Sequence, residues 1–414
     1  MQDELTFLAQ NASQQTNTKG VTSKAKVRIF VSTGEVSGDL QGALLIAALQ
    51  RQAVKAGVEV EIVALGGAKM AAAGAILLGN TSSIGSMGLL EALPFILPTL
   101  QLQKQAIAAL KAHPPDLVVL IDYIGPNMKI GSYIHSSLPQ VPVVYYIAPQ
   151  VWVWSMTGRA TTRIIQISNK LLAIFPEEAR YFEKRGAIVS WVGHPLVDRM
   201  QNAPSREAAR KLLQIQSETT AIALIPASRR QELKYLLPPM FEAARQIQAQ
   251  LPNVRFLIPL ALEIYRQPIE QAIKRYGLQA TIVCGQTTEA ISAADLAITK
   301  SGTVNLEIAL LNVPQVVIYR VSRLTIAIAR LFKFSIPFMS PPNLVEMKPI
   351  VPELLQEQAT PENIVQVALE LLLNPIRRQE TLAAYALMRL SLGEVGVCDR
   401  AASEIFQLLE ARGE

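Results

Sequence analysis

Short apolar, β-branched runs alternate with longer helical patterns along most of this chain. In the first half the runs fall at 27–31, 58–65, 117–121, 141–147, 171–175 and 189–192. In the second half they fall at 221–225, 254–260, 280–283, 296–299 and 315–319. Mostly continuous apolar strands separated by helices predict parallel sheets covered on both faces, since a half-wet strand would alternate apolar and polar residues. Only 58–65 begins by alternating, through Glu59 and Glu61, so one face at that end is expected to meet water. The polar stretch 198–219 interrupts the strand pattern and reads as the link between two α/β domains. Beyond 377 the pattern is helical with no strand after it, and such a tail must pack on the first domain or on a partner chain. The expected organisation is therefore a disordered polar tail (1–26), a first domain (27–200), a second domain (201–376) and a helical segment (377–414). Two doubly wound, Rossmann-like α/β domains facing each other place ligands between their strand C-terminal ends.

Composition narrows the function classes. At 414 residues the chain exceeds what a single core organises, and with 50% hydrophobic and 17% charged residues it is globular. The net charge of +6 is spread along the sequence, with no basic stripe interleaved with aromatics, so nucleic acid is not an expected partner. The two cysteines, Cys284 and Cys398, are far apart and suit a reducing compartment. The first 25 residues lack a cationic start followed by an apolar core, so they read as a tail and not a secretory signal. No uncharged apolar run is long enough to span a bilayer, and the expected location is cytoplasmic. Two stretches nonetheless suit a membrane surface: the apolar 87–98, and 320–333, where Arg320, Arg323, Arg330 and Lys333 interleave with Leu, Ile and Phe.

Candidate chemistry sits just after the strands. After 27–31 comes a turn carrying Gly34, Glu35, Ser37, Gly38 and Asp39, then an apolar helix. A helix start offers free N–H groups and a dipole favouring negative charge, so this is an anion site, although it lacks the G-x-G-x-x-G dinucleotide spacing. Asp122 ends the run LVVLI and enters a Tyr-Ile-Gly-Pro-Asn turn, where a carboxylate serves as a general base or caps the next helix. Asn127 reads as a residue holding that turn. In the second half, Ser301, Gly302 and Thr303 follow a strand and precede a helix, adding hydroxyls to free amides in a way that suits a diphosphate, with Glu307 one turn on as an acceptor for a sugar hydroxyl. Arg229, in Pro226-Ala-Ser-Arg-Arg after 221–225, offers a planar fork that matches phosphate oxygens. His194 and Trp152 rank second, the first as a structural hydrogen-bonder or crevice residue, the second as core packing or the floor of a sugar or acyl site. No D-x-D pair or His/Cys/Asp cluster calls for a metal, and no cofactor is expected.

These motifs resemble the lipid-A-disaccharide synthase family of two-domain (GT-B) inverting glycosyltransferases. GEVSGD, LGGAKMAAAG, MGLLEALP, IDYIGPN, YYIAPQVWVW, WVGHPLVD, the Pro-Ala-Ser-Arg loop, SGTVNLE and PPNLVEMKPIVPELLQ occur in the family's order from about Val27 to the C-terminus. The resemblance implies transfer of 2,3-diacylglucosamine from its UDP conjugate to 2,3-diacylglucosamine 1-phosphate, giving a β-1,6 disaccharide and UDP. It implies Asp122 as base, with Arg229, Ser301 to Glu307 and Asn343 on the UDP-donor side. UDP on the second domain puts Gly34, Glu35, Ser37, Gly38, Asp39 and Asn127 on the acceptor side. It also implies peripheral attachment to the cytoplasmic face of the inner membrane and a homodimer with exchanged C-terminal segments. The chain departs from the family pattern at Gly125, where a second Asp is common, at Ala227 in the phosphate loop, and at Val345 to Lys348; basic residues after MGLLE are missing. The alternatives are another GT-B enzyme on UDP-N-acetylglucosamine, transferase or 2-epimerase, and an inactive nucleotide-sugar-binding homologue.

Overall fold

The computed structural model describes residues 25–81, 89–154, 158–227, 230–260, 262–322, 326 and 337–411. All eleven expected strands form, in two parallel sheets. The first sheet runs β3-β2-β1-β4-β5-β6-β7, with β1 at Lys26–Ser32, β2 at Glu59–Gly66, β3 at Ile76–Asn80, β4 at Leu117–Ile121, β5 at Val143–Tyr146, β6 at Lys170–Ala173 and β7 at Val189–Trp191. The second runs β10-β9-β8-β11-β12-β13, with β8 at Thr220–Ile225, β9 at Val254–Leu260, β10 at Ala280–Cys284, β11 at Leu296–Lys300, β12 at Gln315–Tyr319 and β13 at Glu353–Leu355. The two strands missing from the periodicity, β3 and β13, are short sheet edges. They bury little and carry little apolar signal, and β3 includes Gly79.

Central strands behave as their composition demands. Every residue of β4 is buried, and β4 pairs with β1 through Ile29↔Leu117 to Ser32↔Leu120. In β2, Glu59 is exposed and Glu61 pairs with Arg28 at 2.6 Å, which is the wet end expected there.

In each sheet the strand order reverses direction once, between β1 and β4 and between β8 and β11. Such switch points leave a crevice beyond the strand ends, because the helices that follow the two strands depart to opposite faces. The loops singled out in the sequence follow β1, β4, β8 and β11, the four strands that flank the two switch points.

The polar link is anchored to the second sheet. Its Arg210 is buried and donates to four carbonyls, of Ala293, Gln216, Ser217 and Thr219, and to the Asp295 carboxylate at 2.7 Å. The strandless tail forms helices at Pro375–Ser391 and Val397–Glu410. The last helix returns to the first sheet of its own chain and packs on the Glu35–Ala56 helix that follows β1. The Asp198 carboxylate holds its start, accepting from the N–H groups of Gly396, Val397 and Cys398 at 2.7, 3.1 and 2.8 Å. Val397, Ala401, Ile405 and Phe406 join a core cluster that also contains Ile29 and Val31 from β1. Among the described residues no helix is long and apolar enough to cross a membrane. Most of the basic amphipathic stretch 320–333 lies outside the described residues.

Candidate active site

A cleft lies where the strand C-terminal ends of the first sheet meet loops of the second. Its walls on the first side include Ser37, Gly38, Asp122, Trp152, Glu178 and His194; Thr303, Leu306 and Pro341 face them from the second.

Asp122 sits at the end of β4 in an unusual backbone conformation. It and Tyr123 are consecutive left-handed residues, with φ of 46° and 51°. Such residues cost of order 1–3 kcal/mol each and persist only where their surroundings hold them. Here the Asp122 N–H donates to the Ile147 carbonyl at 2.9 Å, and the Asp122 carbonyl accepts from the Tyr145 hydroxyl and the Asn127 amide, both at 2.8 Å. Asn127 is fully buried; its amide also donates to the Ile121 carbonyl, and its Oδ1 accepts from the Ser32 hydroxyl at 2.7 Å. Asn127, expected on the acceptor side, is instead a brace that holds the turn and ties β1 to β4 behind the carboxylate. Burial, reinforced by the Asp122 charge, pushes the Tyr145 phenol well above its usual range, so it stays a donor.

The loop after β1 divides into different roles. Gly34 precedes the helix without a side-chain cap, and a Cβ there would lie 2.5 Å from the Tyr123 ring. Gly38 packs so closely that a Cβ would meet Thr33 Oγ1 at 1.9 Å. Gly34 therefore lets the helix start approach the Asp122 turn, and Gly38 lets the first turn close onto Thr33. Asp39, expected on the acceptor side, does another job. It is buried, and its carboxylate accepts from the N–H groups of Gly67, Lys69 and Met70 at 2.8, 3.1 and 3.0 Å, capping the Ala68–Ala72 helix. Three amides leave that carboxylate little capacity for a ligand. Asp39→Ala is expected to cost about 2–4 kcal/mol of stability in urea unfolding, with UDP affinity unchanged. Wild-type stability with a raised acceptor KM would return Asp39 to the ligand.

The second wall has the same construction. The Ser301 hydroxyl donates to the Met339 carbonyl at 2.5 Å, and the Gly302 N–H donates to Asn305 Oδ1 at 2.8 Å. Thr303 lines the cleft directly. Glu307 is buried and pairs with Arg199 at 2.7 Å. Asn343, expected on the donor, is a buried brace: its amide donates to the Val351 carbonyl and Glu353 Oε1 at 2.9 and 2.8 Å, and its Oδ1 accepts from the Val351 N–H. Its neighbour Pro341 is the residue that lines the cleft. Arg229 and the side chain of Glu35 lie outside the described residues.

His194 lines the cleft as a neutral ring. Its Nδ1 accepts from the Leu196 N–H at 3.2 Å, which leaves the proton on Nε2, and burial lowers its pKa to about 3. The ring lies 5.4 Å from Phe175, which in turn tilts against Trp152 at 6.0 Å. Among the described residues, Trp152 Nε1 and Gln41 Oε1 are buried with no hydrogen-bond partner, and both residues line the cleft. A bound polyol or amide would satisfy a donor and an acceptor left open in this way.

Glu178 was absent from the sequence reading. Its carboxylate accepts from the N–H groups of Ala148, Ile174 and Phe175 at 3.1, 2.9 and 3.3 Å, clipping together the loops after β5 and β6. Burial raises its pKa to about 8 against the pull of those three bonds. The signal was present as Pro176 followed by an acidic residue at the third helical position, a helix-start pattern that says nothing about a cleft. Among the described residues no three His, Cys, Asp or Glu side chains gather to hold a metal.

Two parallel sheets with a cleft between their switch points, lined by the Asp122 and Glu178 carboxylates among others, have the GT-B arrangement. The family model described as Lipid-A-disaccharide synthetase matches residues 29–406, and the chain belongs to that family of glycosyltransferases. It is 61% identical over 380 residues to the lipid-A-disaccharide synthase of Gloeothece citriformis (strain PCC 7424), covering 92% of this chain and 99% of that protein. To the enzyme of the same name from Synechocystis sp. (strain ATCC 27184 / PCC 6803 / Kazusa) it is 57% identical, covering 92% and 98%. Solved structures share the fold at low identity. A UDP-GlcNAc 2-epimerase from Neisseria meningitidis aligns with a TM-score of 0.58 at 12% identity, covering 92% of this chain and 100% of that one. The glycotransferase of kitacinnamycin aligns with a TM-score of 0.55 at 14% identity, covering 92% and 98%.

Proposed function

We propose that this protein transfers 2,3-diacylglucosamine from UDP-2,3-diacylglucosamine to the 6-hydroxyl of 2,3-diacylglucosamine 1-phosphate, with inversion at the anomeric carbon. The observation that carries this reading is the placement of Asp122, held rigidly by Asn127 and Tyr145, on the cleft wall opposite Thr303. Asp122 takes the acceptor proton as the 6-hydroxyl attacks the anomeric carbon; the bond from that carbon to the UDP oxygen breaks and UDP leaves. Residues 27–200 carry the acceptor and the base, and 201–376 carry UDP on Ser301 to Glu307 and Arg229. The acceptor sugar and its phosphate approach the helix start after Gly34, whose first-turn amides carry no side-chain cap. Arg229 and the cleft-lining Thr303 meet the diphosphate, and no metal or cofactor takes part in the proposed transfer.

Both substrates carry acyl chains, which supports peripheral attachment at the cytoplasmic face of the inner membrane. The Leu89–Ala112 helix, with Leu97 71% exposed, is the contact suggested. The Val397–Glu410 helix, which packs on the Glu35–Ala56 helix, is the segment that a homodimer with exchanged C-terminal segments would swap.

The test is turnover with UDP-diacylglucosamine donors and lipid acceptors of varied chain length, read by mass spectrometry. The expected products are the tetraacyl disaccharide 1-phosphate and UDP. Free sugar released from UDP-N-acetylglucosamine, with no disaccharide from any lipid pair, would favour an epimerase instead. UDP binding with no turnover at any chain length would mark a binding protein without catalysis.

A further inference from the structure

Arg199 lies outside every motif that the proposed reaction uses, yet it joins the two halves of the site. It belongs to the Leu196–Met200 helix that follows His194 on the first side of the cleft. Its Nη1 donates to Glu307 Oε1 at 2.7 Å, and its Nη2 to Thr288 Oγ1 at 3.4 Å, both on helices packed against the second sheet. The pair is largely shielded from water, with side-chain exposures of 27% for Arg199 and 10% for Glu307. Glu307 Oε2 has no protein hydrogen bond among the described residues, so one oxygen is fixed by the guanidinium and the other keeps its acceptor capacity.

We propose that Arg199 is the positioning residue for Glu307, reaching from the Leu196–Met200 helix to the helix after β11 to hold that carboxylate as the acceptor for the ribose hydroxyls of UDP. This rests on the reading that places UDP on the Ser301 to Glu307 loop. The physical need is plain. A carboxylate taken out of water favours its protonated form, which donates one hydrogen bond where two hydroxyl donors need acceptors. Burial does raise the Glu307 pKa, and the cations facing it act in the opposite direction: Arg199 first, then Lys300 at the end of β11 and Lys69 on the Ala68–Ala72 helix. Arg199 alone among these makes a direct bond to the carboxylate, so it governs orientation as well as charge.

The experiment measures equilibrium binding of UDP-2,3-diacylglucosamine, without acceptor, from pH 5 to 9 for wild type, Arg199→Met, Arg199→Lys and Glu307→Gln. The diphosphate diester of this donor does not titrate in that range, so an acid limb reports the protein. Arg199→Met keeps the apolar stem and is expected to weaken binding about tenfold at pH 7 and to move the acid limb up by about one pH unit. The sign follows from losing a cation: the carboxylate ionises only at higher pH. Arg199→Lys is expected to keep the limb near the wild-type position, and Glu307→Gln to bind weakly with no limb. A wild-type profile in Arg199→Met, alongside a weakened, flat Glu307→Gln, would overturn the role of Arg199. Wild-type affinity in Glu307→Gln would remove the ribose assignment and the proposal with it. A parallel titration with UDP separates the two readings. If UDP binds and responds to Arg199→Met while the acylated donor does not bind, the donor reading fails and the role of Arg199 stands.

Discussion

Asp122→Asn is expected to lower kcat by about 10²–10⁴-fold while leaving UDP affinity unchanged. A thousandfold loss corresponds to about 4 kcal/mol of transition-state stabilisation. The substitution is a clean one for this site. Asn accepts the left-handed conformation that Asp122 adopts, so the backbone bonds to Ile147, Tyr145 and Asn127 should survive. What disappears is the basic oxygen proposed to take the acceptor proton. Because UDP is assigned to the other wall of the cleft, its affinity is the internal control. Equal losses of turnover and UDP binding would mean that Asp122 supports the architecture and not the chemistry. Asp122→Ala is a poorer probe, since it combines loss of the carboxylate with a residue that resists positive φ.

Ending the chain after Ser391 is expected to abolish the cooperative unfolding of the first sheet. The truncation removes Leu392, Val397, Ile405 and Phe406, all buried in the cluster that contains β1. At about 1.5–3 kcal/mol per large apolar side chain, their loss amounts to roughly 6–12 kcal/mol, comparable to the whole stability of many domains. It would also expose the face of the Glu35–Ala56 helix that the last helix covers, a patch prone to aggregation. A graded variant, Phe406→Ala, should cost about 3–5 kcal/mol and remain soluble. Circular dichroism in increasing urea reads both. An unchanged midpoint in the truncated chain would show that the last helix is an appendage.

The fold was legible because its signals are local. Continuous apolar runs separated by helical patterns leave few architectures other than covered parallel sheets, and eleven strands followed from that period alone. The edges β3 and β13 did not, because a strand buried on few sides needs few apolar residues. The polarity of 198–219 marks it as a link between domains. Periodicity cannot reveal that Arg210 is buried, since a buried guanidinium is tolerated only through partners such as Asp295 and Ala293, far away in sequence.

The site divides along the same line. The candidate residues Asp122, Ser301 to Thr303 and Arg229 stand out because they follow the runs that become β4, β11 and β8, and ligands in such folds gather beyond strand ends. Sequence could not assign Asp39 or Asn343, whose side chains look free until their amide and carbonyl partners are seen. It had no means of finding Glu178, a helix-start residue that becomes part of a cleft wall only because β5 and β6 deliver two loops to it.

The chain by itself therefore determined two parallel α/β sheets, the loops that carry chemistry and the family to which they belong, since each rests on residues adjacent along the sequence. Tertiary structure alone decided which of those side chains remain available to a ligand and which are consumed as caps and braces. It alone brought Arg199 of the Leu196–Met200 helix to Glu307 on the helix after β11, because hydrogen-bond partners and desolvation depend on neighbours in space that no local pattern encodes.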